Sequence, residues 1–315
     1  MAHPFPGIRD PDSAQGRPSS TLSLPSTDIG KNRRWSTRRS RCGGGPPGAV
    51  NLELGENSIA LTTALRQYLG VLQNYFGEEE AAGYDEGFAL WFDPNVLGPA
   101  VDMLAELASD GAALEFAVGT GRVALPLAAR GVPVSGIELS IPMADRLRAK
   151  DGSERIKVTI GDMATTRVEG RFRLVYLVFN TIGNLTTQDQ QVACFANAAA
   201  HLEPGGTFLI EVGVPDLRRL PPGEDARVFS HSPGYVGYDR YTDLVAQQAT
   251  SHHFTADGSG VREFKTPFRY VWPSELDLMA RLARMSLRDR WAGWDRSSFT
   301  RESTSHVSVW EKTDA

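Results

Sequence analysis

Cysteine is almost missing from this chain. Its 315 residues hold two, Cys42 and Cys194, which excludes a disulfide framework. Neither lies in a spacing that would ligate a metal, so a reducing, cytoplasmic setting is expected. Cys194 falls in an apolar helical run and reads as a buried thiol. Long hydrophobic runs are missing too. The longest match single strands, which excludes a membrane span. There is no excess of positive charge: the net charge of −5 argues against a general nucleic-acid binder. What the chain does have is 41% hydrophobic residues, enough to build the core of one large domain or of a domain with an appendage.

The mean charge hides an asymmetry. Residues 1–50 carry eight basic and three acidic side chains, a balance of +5 that leaves −10 for the rest. This stretch is rich in Pro, Gly, Ser and Arg, with RRWSTRRSR at 33–41 and GGGPPG at 43–48. It lacks hydrophobic periodicity and is expected to be a disordered basic tail, dispensable or derived from an upstream start codon. It has no apolar segment of the kind a secretory signal needs.

The densest information lies in residues 112–140, AALEFAVGTGRVALPLAARGVPVSGIELS. An apolar strand, Leu114–Val118, runs into the turn Gly119-Thr120-Gly121. A helix-forming run, Val123–Arg130, follows. A second apolar strand, Val132–Ile137, ends on Glu138. Glycines let backbone approach a ligand, the helix start offers free N–H groups, and a terminal acid accepts from both ribose hydroxyls. A nicotinamide dinucleotide fits Gly119, Gly121 and Ala124 loosely. Glu115, however, stands in the first strand, where its carboxylate would oppose a pyrophosphate. It suits a ligand with positive charge near the turn, such as a sulfonium bearing an α-amino group, or it is an ordinary polar residue of a strand end.

A third strand is expected over Glu154–Gly161, followed by Asp162 and Met163. Asp162 either accepts from an exocyclic adenine amine or caps a helix, and Met163 offers a soft apolar face. A fourth buried strand, Phe172–Phe179, ends on Asn180. A helix over Thr187–Leu202 leads to a fifth strand, Gly205–Val212. With LEFAVGTGR (114–122), GIELS (136–140), GDM (161–163), LVFN (177–180) and LEPGGTFLIE (202–211) in this order, the chain resembles the class I S-adenosylmethionine-dependent methyltransferases over about residues 80 to 312. The wording is most similar to the small-molecule branch, which includes the N,N-dimethyltransferases of antibiotic aminosugars. One departure is Ala117, where the family often has glycine.

The resemblance implies an α/β, Rossmann-like, mostly parallel seven-stranded sheet with an antiparallel last strand. Met285–Trp294 and Thr304–Glu311 read as its final two strands. It also implies S-adenosylmethionine as cofactor, bound by Tyr84, Glu115, Ala117, Gly119, Gly121, Glu138, Leu139, Met143, Asp162, Met163 and Asn180. Residues 51–110 are expected to form a helical lid, with Leu61, Leu65, Leu69 and Leu72 on one face of a helix over Ser58–Phe76 and a second helix over about Val96–Ala108. Tyr84 then either hydrogen-bonds the cofactor's carboxylate or the substrate, or packs in the core. The cofactor domain comprises 111–213 and 273–315. Residues 214–272 form a β-rich insertion roofing the site, with a hairpin of Val245–Phe254 and Arg262–Trp272 around the turn at 257–260. Its Leu220–Gly237 part reads as a mobile gate.

Methyl transfer from a sulfonium needs alignment above all, and a base only for a protonated acceptor. Asn180, at the strand-order reversal, is the candidate for positioning the acceptor. Base candidates are His231 in the expected gate and His252 or His253 in the roof, of which one at most faces the site. The fourth strand lacks the acidic-or-Asn, Pro, Pro, aromatic ending of DNA amino-methyltransferases. The expected partner is therefore a small molecule, through an amine or hydroxyl, with no nucleic acid and no membrane. The chain is expected to be a monomer or a homodimer. A nicotinamide-dependent oxidoreductase and a binding protein that retains the cofactor cleft without turnover remain as alternatives.

Overall fold

The computed structural model describes residues 74–258 and 260–313. The expected tail at 1–50, Cys42, most of the helix expected over Ser58–Phe76, and Ser259 lie outside the described residues.

Seven strands form one sheet in the order β10-β11-β5-β4-β1-β2-β3. They are β1 Ala113–Phe116, β2 Val134–Glu138, β3 Ile156–Ile160, β4 Phe172–Leu177, β5 Leu202–Gly213, β10 Met285–Trp291 and β11 Ser305–Lys312. β11 runs antiparallel to both of its neighbours, and the pairings among β1 to β5 are parallel. The central strands read as nearly continuous apolar runs because both faces are covered. Side chains alternate across the sheet. Ala113, Leu174, Tyr176 and Leu209 join a core with helices α2 (Pro94–Ala108) and α3 (Ala124–Ala129). Leu114, Phe116, Val175, Leu177, Phe208 and Ile210 join the opposite core with α5 (Gln188–His201) and α6 (Pro273–Leu282). Cys194 lies there, free and buried, and burial pushes its thiol well above the usual range. Strand order reverses between β1 and β4, which puts the crevice for a ligand at their carboxyl ends. Helix α1 (Glu78–Gly87) precedes all of this, and α4 (Ile141–Arg148) follows β2.

The insertion holds more than the expected hairpin. It is a four-stranded antiparallel meander: β6 Ala226–Ser232, β7 Tyr235–Asp243, β8 Gln248–Asp257 and β9 Gly260–Arg269. The segment expected to be a gate, Leu220–Gly237, therefore contains β6 and the start of β7. A two-residue connection, Pro233-Gly234, joins Ser232 to its partner Tyr235, with Gly234 at φ 77. Those residues carry the signal of a tight hairpin as well as of a loop. Pro267 falls in β9, an outer strand, where a missing N–H is tolerated.

One buried cation joins the insertion to helices α5 and α6, which pack on the large sheet. Arg269, 4% exposed, donates to Gln191 Oε1 at 2.5 Å, Gln247 Oε1 at 3.0 Å and Glu275 Oε1 at 2.7 Å. No helix among the described residues is long and apolar enough to cross a membrane.

Candidate active site

The chain leaves β1 through a left-handed turn, with Ala117 at φ 54, Gly119 at φ 57 and Gly121 at φ 82. An L-residue such as Ala117 pays roughly 1–2 kcal/mol for that conformation, which is why glycine is usual there. Gly121 is required twice over, because a Cβ would stand 2.9 Å from Leu147 Cγ. Glu138, 6% exposed at the end of β2, closes the turn from the other side. Its Oε2 accepts the Gly119 N–H at 2.7 Å, and its Oε1 accepts the Ser140 N–H at 2.8 Å. Burial raises its pKa, and these N–H groups oppose the rise. Each oxygen keeps a second lone pair for a hydroxyl donor.

Glu115 is 3% exposed and faces the same side of the sheet as Tyr176, whose hydroxyl donates to Glu115 Oε2 at 2.9 Å. Sequence reasoning expects a standing negative charge here. Burial instead pushes the carboxyl up to about 8, against the pull of Tyr176 and Arg122, so at neutral pH it holds its proton. A cation at the turn would draw it into the ionised form. Glu138 adds to the rise, so the two carboxylates sense each other.

Asp162 makes local hydrogen bonds. Its Oδ1 accepts the Ala164 N–H at 2.7 Å and its Oδ2 accepts the Thr165 hydroxyl at 3.3 Å, so it caps its own turn. Among the shifted groups its charge is felt by Cys194 on α5. It still stands beside β2, because the next residue back, Gly161, donates to the Glu138 carbonyl at 2.8 Å. Met163 is buried in the second core. Leu139 is exposed at the end of β2, and Met143 is buried under the glycine turn.

Helix α1 is tied to this turn. Asp85 accepts from the Thr120 hydroxyl at 2.6 Å and pairs with Lys150 Nζ at 2.5 Å, while Lys150 also donates to the Thr120 carbonyl at 2.8 Å. The anchoring brings Tyr84 within the fields of Arg122, Glu138 and Glu115, and burial pushes its hydroxyl up to about 12. An aromatic series runs from the small sheet across the site: Phe264, Phe76, Tyr84, Phe88 and Phe179, with successive centroids 6.1, 6.0, 4.8 and 5.7 Å apart.

At the end of β4, Phe179 and Asn180 take φ 62 and 58. Two consecutive non-glycine residues in the left-handed region are a strained device of the kind found at functional sites. Asn180 Oδ1 accepts the Gly213 N–H at 2.5 Å, so this side chain ties β4 to β5. His231 stands exposed on the outer strand β6, not in a loop, and takes no part in the hydrogen bonds of the glycine turn. Of the roof pair, His252 stacks on Tyr238 at 4.6 Å and meets Glu263 at 3.0 Å. His253 turns to the opposite face, against Tyr235, Phe229 and Phe264, and so towards the aromatic series. Sequence reasoning gave no role to Arg122, Asp85 or Glu211. Glu211 repeats the signal that singled out Glu115, an acid within an apolar strand.

A methyltransferase-domain family model matches residues 113–206. The solved CcbJ methyltransferase from Streptomyces caelestis is 36% identical with a TM-score of 0.64, over 69% of this chain and 90% of that one. The putative methyltransferase YqeM of Bacillus subtilis is 31% identical over 110 residues, 34% of this chain and 44% of YqeM. The dTDP-3-amino-3,4,6-trideoxy-alpha-D-glucopyranose N,N-dimethyltransferase of Streptomyces venezuelae is 32% identical over 98 residues, 31% of this chain and 40% of that enzyme. The chain thus spans less than half the length of these two curated relatives and nine tenths of CcbJ. With the strand order, the glycine turn and the acid closing β2 in place, the chain belongs to the class I S-adenosylmethionine-dependent methyltransferases, in their small-molecule branch.

Proposed function

We propose that this protein transfers the methyl group of S-adenosylmethionine to an amine or hydroxyl of a small molecule, as a step of secondary metabolism. The observation that carries this reading is the pair of buried carboxyls, Glu115 and Glu138, flanking a left-handed glycine turn. The donor set fits the cofactor. Glu138 retains lone pairs for the ribose hydroxyls, and Glu115 is a latent anion for a cationic ligand. Tyr84, buried within the fields of Arg122, Glu138 and Glu115, offers its hydroxyl to a carboxylate. A pyrophosphate in the same place would keep Glu115 neutral, whereas a sulfonium draws it into the ionised form, which favours the sulfonium cofactor over a dinucleotide.

When bound, the cofactor supplies an electrophilic methyl on a sulfonium. The chain's residues align it. Glu138 fixes the ribose, and Ala117, Gly119 and Gly121 bring backbone close to the ligand. Leu139 and Met143 shape the adenosyl pocket, Asp162 and Met163 take the adenine end, and Tyr84 takes the methionyl end or the acceptor. Asn180 orders the acceptor side through the strained turn it holds. His231, exposed on β6, enters only if the acceptor reaches that edge. Helix α1 covers the turn as a lid, and the small sheet stands over the entrance. The name of the Streptomyces venezuelae relative, an aminosugar N,N-dimethyltransferase, supports an amine acceptor.

Calorimetric titration with S-adenosylhomocysteine and with NAD tests the cofactor. Binding of the first and indifference to the second is expected, and preference for the dinucleotide would sink the reading. A panel of amines, phenols and sugars with methyl-labelled cofactor then tests transfer.

A further inference from the structure

Glu211 lies near the end of β5, 3% exposed, on the face of the sheet that carries Glu115 and Tyr176. One half of it is structural. Its Oε2 accepts the Phe179 N–H at 2.5 Å, and its backbone carbonyl accepts the Asn180 N–H at 3.2 Å, which holds the strained turn. The other half is idle: Oε1 is buried and has no hydrogen-bond partner. An oxygen left in that state is unfavourable until a donor reaches it. The idle group also lines a narrow crevice, with Trp91, Phe179, Trp294, Arg122 and the apolar side chains of α2. The Arg122 guanidinium lies 4.0 Å over the Phe179 ring, and no ion pair joins it to Glu211.

We propose, resting on the methyltransferase reading above, that Glu211 is a catalytic residue: its Oε1 takes an N–H proton from an acceptor amine whose apolar substituents occupy this crevice. The step balances. A proton passes from a protonated acceptor nitrogen to the carboxylate, which leaves a lone pair on neutral nitrogen and a neutral carboxyl. The proton returns to water when product leaves. Burial raises the group to about 7, and Arg122, the charged group facing it, opposes that rise. A carboxyl there exchanges protons with an alkylammonium, whose pKa is about 10, but not with a simple alcohol. The crevice therefore favours amine over hydroxyl acceptors.

The test uses the full chain, labelled with 13C at glutamate carboxyls and saturated with S-adenosylhomocysteine. The resonance lost in Glu211→Gln is that of Glu211, and Glu211→Asp removes the same resonance should the Gln variant not fold. Addition of piperidine is expected to lower the midpoint of Glu211 by about one unit or more, as an opposite charge does. Cyclohexanol should leave it in place. With methyl-labelled cofactor and piperidine, Glu211→Gln keeps the Phe179 contact and the affinity for S-adenosylhomocysteine. It is expected to lose about a hundredfold in kcat and the inflection of the pH profile near 7. A Glu211 resonance indifferent to piperidine, or a Gln variant with the parent kcat and pH profile, overturns the assignment. Failure of the parent protein to bind S-adenosylhomocysteine overturns the methyltransferase reading instead.

Discussion

The two sheets of this molecule are built on opposite logics. The large sheet is covered on both faces, its central strands are apolar throughout, and its few buried acids stand out as exceptions: Glu115, Glu138 and Glu211. The small sheet is an antiparallel meander with Val236, Val228 and Val261 exposed and an aromatic stack, Tyr238, His252 and Phe254, along one face. In the first, a polar residue marks chemistry because nothing else would justify its desolvation. In the second, polar and aromatic residues alternate as a matter of course and mark little. A buried carboxyl at a strand end is therefore strong testimony, whereas a histidine in the roof is weak.

The largest effect should come from breaking the link between the sheets. Arg269→Met leaves Glu275 and Gln191 without their buried cation and is expected to cost about 3–5 kcal/mol. Hydrogen exchange would show β8 and β9 losing protection before β1 and β4 if the sheets are separable units. Next comes the carboxyl buried in the large sheet. Glu115 titrates near 8 when folded and at 4.5 ordinarily. The folded state holds this proton more tightly, so the contribution is complete below 4.5 and lost as pH rises through 8. Glu115→Gln should thus gain on the parent protein as pH rises, by a few kcal/mol at the alkaline end. Melting temperatures measured across that range would show it, and a difference independent of pH would refute it. Glu138→Ala is expected to weaken cofactor binding by about 1–3 kcal/mol, read by calorimetry. Ala117→Gly should change stability by no more than about 1 kcal/mol, since relief of the left-handed strain is offset by a looser unfolded chain. Val261→Ser, on the exposed rim of the small sheet, should fall within about 0.5 kcal/mol in urea titration.

The same contrast explains what was legible beforehand. Strands β1 to β5 announce themselves as apolar runs bounded by Gly, Asp or Asn, and the acids at 115 and 138 stand out within them. β6 and β7 do not: ARVFSHS and YVGYDRYTD lack an apolar run, and the Pro and Gly around them read as loop. β6 is ordered by pairing with β7, and β7 by pairing with β8, a cause that local composition does not carry. Asp162 is legible as a capping residue, and its bonds to Ala164 and Thr165 follow that reading. Glu211 is not legible as a site residue, because its partner, the Phe179 N–H, lies 32 positions away.

The tie between Asp85, Thr120 and Lys150 fastens the first helix to the glycine turn through an ion pair whose partners are both partly open to water. Dissolved electrolyte weakens such attractions within a screening distance of about 10 Å at 0.1 M. The latch over the nucleoside end is thus tuned by the medium as well as by the sequence, and a ligand should escape faster from concentrated brine than from dilute buffer.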